Sequence, residues 1–570
     1  MADRTFGWVQ EAYTISSLKN CVSVFVNGSP MNKLLVNDKI PRLVSEEFGK
    51  SDFIKELTQN PIAIPYSHLK GKGNVNGTTR ATAPCTGIFQ AALKGQRKEY
   101  QSDWPADSYA RWAVSLGLLD YDRNNDTCSI TELGKSFANS ANDSDEEKEI
   151  LLTAFGHNPP VVRILTLLSE NERMTKFELG QQLGFKTEAG FTSIHQKYIL
   201  QMLDESPDER NKILSNIEGT SDKYIRTISS WLKSLGWIIQ APKQITETVC
   251  GNKYTDTISQ SYEITASGLA ALRKITGTSR HKRIERIVPW EMLSTKAPDK
   301  SYIRNRRTHL IKYLQNGYHS VHSISKYLKT KGIDEPDEVI LEDIEGIINI
   351  GLKIDKRGSE YKIADDIVGL AIPENAVSAS ASDNSLIKNE LRSKLTAVNH
   401  KYLVLLDLAW DSESNRDFEI MTADLFNYIG FDGKRLGDTR KPDVCIYKGK
   451  QGLIIDNKAY SKGYSLPMSQ ADEMIRYIDE NKSRDININP NKWWEVFPDT
   501  VNDFGFTFIS SQFIGGFKDR IDLITTRTGY KGGCITAANL LLFAEEIKSG
   551  RLKYDDGIKL FTNNNEISLN

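Results

Sequence analysis

The chain has no run of 18 apolar residues, so no membrane-crossing helix is expected. Its first residues lack a charged segment followed by an apolar one, so no secretory leader is expected and a cytoplasmic location is inferred. Cysteine is scarce: six residues, at 21, 85, 128, 250, 445 and 534, with no Cys-x-x-Cys pair. That scatter excludes a disulfide framework and a cysteine-based zinc site and leaves reduced thiols. Histidine is nearly as sparse; His319 and His322 have ligand-like spacing but no partners close by in sequence, so they are assigned a surface or packing role. An excess of either charge is also missing. Lys and Arg number 73 against 74 Asp and Glu, a formal net charge of −1. A nucleic-acid-binding chain of this balance must place its cations locally, so the total neither supports nor excludes such a partner.

What is present is enough for several cores. The chain has 570 residues and is 39% hydrophobic, which sets an expectation of roughly three to five domains. An internal repeat organises the first part. Trp104–Gly134 reads as helix, strand, polar loop, strand and new helix. Ser221–Leu269 repeats the order, with a long loop between the strands WIIQ and SYEIT, and Pro336–Ile363 gives helix and hairpin again. The three helices run into Gly117, Gly236 and Gly351, as helix C-termini do. Helix followed by a hairpin wing is the latter half of a winged helix. The former half, helix–turn–helix, reads in VVRILTLLSENERMTKFELGQQLGF and in IRNRRTHLIKYLQNGYHSVHSISKYLKTKGI. The segment before about residue 375 is therefore expected to hold three winged-helix units. The third has a Ser/His-rich second helix without the Arg, Lys and Glu set of the second, and is read as a protein-contact module.

The helix beginning near Ser221 buries Ile225, Ile228, Trp231, Leu232 and Leu235 at helical spacing and turns Lys223, Arg226, Ser230 and Lys233 outward. Cations in the first turn of such a helix, with Glu218 just before it, suit base-edge contacts: Lys and Arg to guanine, Glu to cytosine. A solvated face with intrahelical ion pairs is the alternative. Ala376–Asn384 is Ser/Ala-rich and reads as a flexible tether. Beyond Ser385 the pattern turns to α/β, with helices expected near 386–397, 400–410 and 417–428, a helix in SLPMSQADEMIRYIDENKSR, a buried strand in FGFTFISS and a helix in TAANLLLFAEEIKSG.

Within that part, KPDVCIYKGKQGLIIDNKAY reads as a hairpin with a two-residue Gly449-Lys450 turn. Counting from the turn pairs 448 with 451 and 447 with 452, and sets Asp443 opposite Asp456. Period-two alternation puts Lys458 on the face of Asp456. Two carboxylates at close range repel unless a cation lies between them, and Mg²⁺, which takes oxygen ligands and keeps several waters, suits such a pair. A neighbouring lysine can hold or deprotonate water and stabilise phosphoryl charge. The pattern resembles the PD-(D/E)xK nuclease motif. Asp432-Gly433-Lys434 is set aside as a chance match, with Gly433 expected to mark a turn. A surface hairpin with solvated charges is the competing reading.

The surroundings favour the nuclease. RLGDTRKPDVCIY, DNKAYSKGYSLPMSQADEMIRYIDEN and INPNKWWEVFP resemble the cleavage domain of the FokI-like type IIS restriction endonucleases, and RTFGWVQ, TAPCTGIFQA, PPVVRILTLL, GFTS, EGTSDKY and WEML extend the resemblance over the full chain. It implies three α+β winged-helix DNA-recognition domains followed by an α/β cleavage domain with a mixed sheet flanked by helices. The expected division is 1–158 and 159–285 for two recognition domains, 286–374 for the third winged helix, 375–384 for the linker and 385–570 for the cleavage domain. The resemblance implies catalysis by Asp443, Asp456 and Lys458, with Mg²⁺ held by Asp443, Asp456 and the Asn457 carbonyl. It implies DNA contacts from Gln10, Arg80, Gln96, Trp104, Ser215, Glu218, Lys223 and Arg226, on a GGATG-like site. Glu11 and Ser215 stand where the family has Asn, the usual partner of adenine, so the departures fall on the A·T-containing part. Asp472 and Arg476 match a pair that bridges two cleavage domains, implying a transient homodimer on duplex DNA. A cognate methyltransferase would share the site without binding the chain. The competing functions are a winged-helix regulator with an inactive nuclease-like domain and a strand-specific nickase.

Overall fold

The computed structural model describes residues 4–60, 62–73, 75, 77–79, 82–205, 208, 210–249, 252–376, 380–437 and 440–569. Each of the three repeats closes as a helix-backed, three-stranded antiparallel sheet. In the first, β1 (Ala63–Pro65), β2 (Leu119–Asp122) and β3 (Thr127–Ile130) order as β1-β3-β2 behind the helix Asp103–Ser115. In the second, β4 (Met174–Thr175), β5 (Ile238–Gln240) and β8 (Ser261–Ile264) order as β4-β8-β5 behind the helix Thr220–Ser234. The stretch between β5 and β8, expected as a loop, is instead a two-stranded ribbon of β6 (Lys243–Val249) and β7 (Asn252–Ile258). Its Thr-rich alternation favours strand, and Ile245 and Ile258 bury against the helix Gln196–Glu205, which holds it as one. A short parallel pair, β9 (Arg286–Ile287) with β13 (Ile367–Val368), brackets the third unit. That unit carries β10 (His319–Ser320), β11 (Ile354–Arg357) and β12 (Glu360–Ile363), ordered β10-β12-β11 behind the helix Asp337–Asn349. Gly117, Gly236 and Gly351 have φ of +71°, +70° and +110°, the left-handed conformation that lets each helix stop and the chain turn into its wing.

One apolar core runs from Phe6 to Ile363 through all three units. At its centre Trp112 of the first stacks on Trp231 of the second, with centroids 4.2 Å apart and planes 13° from parallel. Trp231 lies on the stripe expected to face inward, and Ile225, Ile228 and Leu232 are buried beside it. His319 stacks on Tyr313 at 3.8 Å, and the described cysteines are all buried and free, as the sequence led us to expect.

The last part is a six-stranded mixed sheet: β14 (Asp432–Arg435), β15 (Val444–Lys448), β16 (Gln451–Lys458), β17 (Asp503–Ser510), β18 (Gly532–Thr536) and β19 (Glu566–Ile567), in sequential order. β14 to β16 are antiparallel, and β16 to β19 are parallel. Alternation sends Val444, Ile446, Leu453 and Ile455 to one face and Cys445 and Ile454 to the other, and each face buries its own apolar cluster under helices. Helices Asn415–Tyr428 and Ala537–Lys548 cover the first face, and Met468–Ser483 and Phe517–Thr528 the second. Gly433, expected in a turn, lies within β14: the Asn427 amide donates to its carbonyl at 2.8 Å and accepts from its N–H at 3.0 Å, which makes the segment an extended edge strand.

The expected tether, 375–384, includes residues 377–379, which lie outside the described residues. Its flanks are held: Ala376 is buried and its carbonyl accepts from the Asn305 amide, and the Ser382 N–H donates to Asp299 at 3.0 Å.

A buried ionic network joins the second and third units. Asp343 accepts from Arg306 Nε at 2.6 Å and Arg307 Nε at 2.7 Å, while Arg306 also reaches Glu335 and Arg307 reaches Glu188. Burial opposes the charge on Asp343, yet the two guanidiniums hold its carboxyl below the usual range. Removing one member of such a cluster leaves buried charge uncompensated, so Asp343→Ala should lower stability by about 3–5 kcal/mol in urea unfolding. A loss below about 1 kcal/mol would show that water replaces the carboxylate freely.

Candidate active site and nucleic-acid interface

The hairpin forms in the expected register. Lys448 faces Gln451, Tyr447 faces Gly452, and the rungs continue to Val444 opposite Ile455. Gly449 has φ of +59°, the first position of a Gly-first two-residue turn. Just before β15, Asp443 stands within electrostatic reach of Asp456: Asn457 N–H donates to Asp443 Oδ2 at 2.7 Å, and Lys458 Nζ lies 2.9 Å from Asp456 Oδ2. Among the described residues Asp456 Oδ2 has no hydrogen-bond donor besides this ion pair. The Asn457 side chain points the other way and donates to Thr422 Oγ1 at 2.7 Å, which locks the strand end to the helix Asn415–Tyr428.

The electrostatics follow from crowding. Burial raises the Asp443 carboxyl well above its ordinary pKa, and the nearby Asp456 charge raises it further. Burial works against the Lys458 ammonium, yet Asp456 and Asp443 together hold it above its ordinary value. The cluster is short of positive charge, and its donor set is hard oxygen. Among the described residues no three His, Cys, Asp or Glu side chains converge at metal-ligating geometry. A pair of carboxylates is a donor set that suits Mg²⁺, which completes its shell with waters.

Sequence reasoning missed two carboxylates around this pair. Glu419, on the helix Asn415–Tyr428, adds to the repulsion on Asp443 and accepts from Arg435 Nε at 2.9 Å. Burial raises its pKa, and Arg435 opposes the rise. Glu473 adds to the field at Lys458 and accepts from the Tyr477 hydroxyl at 3.0 Å. Neither stands at motif spacing from the hairpin; only the packing of two helices on opposite faces of the sheet brings them in.

The residues matched to DNA contacts divide. Glu218 is buried, paired with Lys176 at 2.7 Å and with Arg226 at 3.2 Å. Arg226 also donates to the Tyr13 hydroxyl at 3.0 Å, and Gln10 hydrogen-bonds Tyr224, so the N-terminal segment meets the second unit's helix here. Lys223 is half-buried in that helix's first turn, within electrostatic reach of Asp417 on the helix that carries Glu419. Burial raises the fully enclosed Asp222 to about 8, and it accepts from the Gly219 N–H at 2.9 Å, fixing the helix start. Trp104 is 45% exposed. Gln96 lines a cleft of about 710 Å³ with Lys72, Lys94, Arg97 and Lys98. Glu11 adopts φ of +64°. Arg80 lies outside the described residues, and Ser215 lies in the helix Arg210–Asn216, with its side chain outside them as well. Asp472 is exposed and pairs with Arg527 at 3.3 Å, whereas Arg476 turns to Glu473 at 3.2 Å.

The sheet domain is docked on the winged helices. Asp424 pairs with Lys197 at 3.4 Å and accepts from the Tyr198 hydroxyl, Thr192 donates to Asp417 at 2.8 Å, and Arg392 pairs with Glu342 at 2.8 Å. Three winged-helix units joined to a mixed-sheet domain with paired carboxylates and a lysine on a central hairpin define the architecture of a site-reading nuclease. Family models agree piece by piece: the FokI recognition domain, subdomain 1, at residues 4–140, subdomain 2 at 147–282, the FokI D3 domain at 293–359 and the FokI cleavage domain at 381–568. The type II restriction enzyme FokI of Planomicrobium okeanokoites is 38% identical, over 99% of each chain. StsI of Streptococcus sanguinis, another type II restriction enzyme, is 29% identical, over 96% of this chain and 93% of its own length. The solved structure of FokI matches with a TM-score of 0.90 over 99% of this chain and 100% of its own, and that of FokI bound to DNA with 0.91 over 100% of each, both at 38% identity. The chain belongs to the FokI family of type IIS restriction endonucleases.

His400 gives the docking contact a pH dependence. It lies 3.3 Å from Glu342, and that interaction raises its pKa; Glu342, in turn, is held low against burial by His400 and Arg392. The stabilisation is fully present below the ordinary histidine pKa, about 6.5, and is lost as pH rises through the raised value. Urea unfolding should therefore show a stability contribution that falls from pH 6 to pH 8 in the native chain and is missing in His400→Gln; an unchanged pH profile in the variant would refute it.

Proposed function

We propose that the chain binds a short, asymmetric, GGATG-like site on duplex DNA and hydrolyses a phosphodiester bond in each strand at a fixed distance outside it, using Mg²⁺. The observation that carries this is the pairing of half-buried Asp443 with buried Asp456, with Lys458 Nζ 2.9 Å from Asp456, at the end of a central hairpin. Asp443 and Asp456 hold the metal, with the Asn457 carbonyl as a further ligand. When bound, Mg²⁺ supplies charge compensation for the phosphoryl oxygens and lowers the pKa of coordinated water. Lys458 orients the attacking water and stabilises charge on the phosphoryl oxygens as the P–O bond breaks. The similarity to FokI in its DNA-bound form supports duplex DNA as the partner.

Reading is assigned to two recognition domains, 1–158 and 159–285, and protein contact to 286–374; 375–384 links these to the cleavage domain, 385–570. Lys223, Arg226 and Glu218 take the G·C part, and Gln10, Arg80, Gln96, Trp104 and Ser215 complete the contacts. Glu218 becomes available to a base when Arg226 turns from it to the DNA. One hydrolytic site cuts one strand, so a double-strand break needs a second copy; the exposed Asp472 and the half-buried Arg476 pair across the two-fold axis of a transient dimer. A methyltransferase of the same specificity protects the site without binding the chain, and the setting is cytoplasmic.

Asp456→Ala should bind the specific duplex as the native chain does while single-turnover cleavage falls by at least about 1,000-fold, as expected when a metal site is lost. Loss of binding in parallel would make the cluster structural. Run-off sequencing of fragments from long linear DNA reads the site and the offset together. No fragments would indicate an inactive nuclease-like domain, and nicked circles that never linearise would indicate a nickase.

A further inference from the structure

Beyond β16 the chain crosses to the next strand edge through Tyr460–Tyr464. Tyr464 is held there from both sides: its N–H donates to the Gln512 carbonyl at 2.8 Å, and its carbonyl accepts from the Ile514 N–H at 3.0 Å. Gly463, at φ of +85°, makes the bend, and a side chain there would lie 2.9 Å from Ile514. The Tyr464 ring stacks on Tyr460 at 5.4 Å and packs against Phe508 and Phe513. Backbone and ring are both immobilised, and the residue is 2% exposed.

Its hydroxyl, however, has no hydrogen-bond partner among the described residues. A buried O–H left unmade costs free energy, and a rigid orphan of this kind calls for an explanation. The neighbours supply one: Asp456, Glu473 and Asp443 all act electrostatically on the phenol. Burial first, and then the Asp456 charge, raise its pKa above the ordinary value, so it is a neutral donor. Neither Asp443 nor Asp456 accepts its proton in a hydrogen bond. An acceptor from outside the chain, placed beside the carboxylate pair, would satisfy it.

We propose that Tyr464 is a further active-site residue whose phenolic O–H donates to a non-bridging oxygen of the scissile phosphate, fixing the phosphorus in line with the water held at Lys458. This rests on the reading of Asp443, Asp456 and Lys458 as the hydrolytic cluster. The phenol keeps its proton throughout; it stabilises charge on a phosphate oxygen while the P–O bond breaks. Only one of the two non-bridging oxygens can face a donor held this firmly, so the contact is stereospecific.

Tyr464→Phe keeps the ring and removes only the hydroxyl. Single-turnover cleavage by the full chain with Mg²⁺ should fall about 10- to 100-fold, the loss expected of one hydrogen bond to a charged acceptor. Affinity for the specific duplex, measured with Ca²⁺ in place of Mg²⁺, should not change. Single phosphorothioates at the cut position provide a second readout. In the native chain one diastereomer should be cut more slowly than the other, and in Tyr464→Phe that difference should shrink, which a purely packing role would not produce. Native rates in the variant, an unchanged diastereomer ratio, or a fall in duplex affinity matching the fall in rate would each overturn the proposal. Asp456→Ala run alongside separates the two readings: if it still cleaves, the cluster assignment fails, whereas an inactive Asp456→Ala beside a fully active Tyr464→Phe refutes the tyrosine alone.

Discussion

Two carboxylates crowded together, one buried and one half-buried, with a single ammonium form the constraint on which the cleavage domain is built. Asp443 and Asp456 repel, and burial sharpens the repulsion because there is little water to screen it. The strand register, set by a two-residue turn at Gly449, prevents them from moving apart. Lys458 offsets part of the charge, Arg435 neutralises the additional Glu419, and the Asn457 backbone N–H satisfies one Asp443 oxygen. What is left over is a deficit of positive charge at a fixed point, which the proposed metal ion would offset.

Rigidity around that point comes from burying the sheet on both faces. Residues of odd and even number along β15 and β16 serve different cores, so the hairpin cannot slip by one residue without exchanging them. The helix Asn415–Tyr428 does three things at once. It clamps Asn457 through Thr422, presents Glu419, and offers Asp417 to Thr192 and Asp424 to Lys197 and Tyr198 of the winged helices. The reading half and the hydrolysing half therefore share one helix as their boundary.

The neutral overall charge is resolved by local placement. Lys72, Lys94, Arg97 and Lys98 gather at one cleft, and Arg226 and Lys223 stand at the head of one helix, whereas many acids are spent on internal pairs such as Asp343 with Arg306 and Arg307. The first two winged helices fuse through Trp112 and Trp231, so their reading surfaces are held at one mutual angle rather than hinged.

The amino-acid pattern alone determined the things that depend on near neighbours. Helix-ending glycines, the inward stripe of Ile225, Ile228 and Trp231, the turn at Gly449 and the strand register out to Val444 and Ile455 all follow from spacings of one to four residues or from counting outward from a tight turn. Local spacing misled where a tertiary partner overrode it: Asn427 drew Gly433 into an edge strand, and the helix Gln196–Glu205 gave the β6–β7 stretch an apolar surface to pair upon. The placing of Glu419 and Glu473 about the hairpin, the burial of Glu218 between Lys176 and Arg226, and the orphaned Tyr464 hydroxyl were decided only by packing. Those facts join residues tens of positions apart, and such distances are set by which faces come together, a property no short stretch of sequence contains.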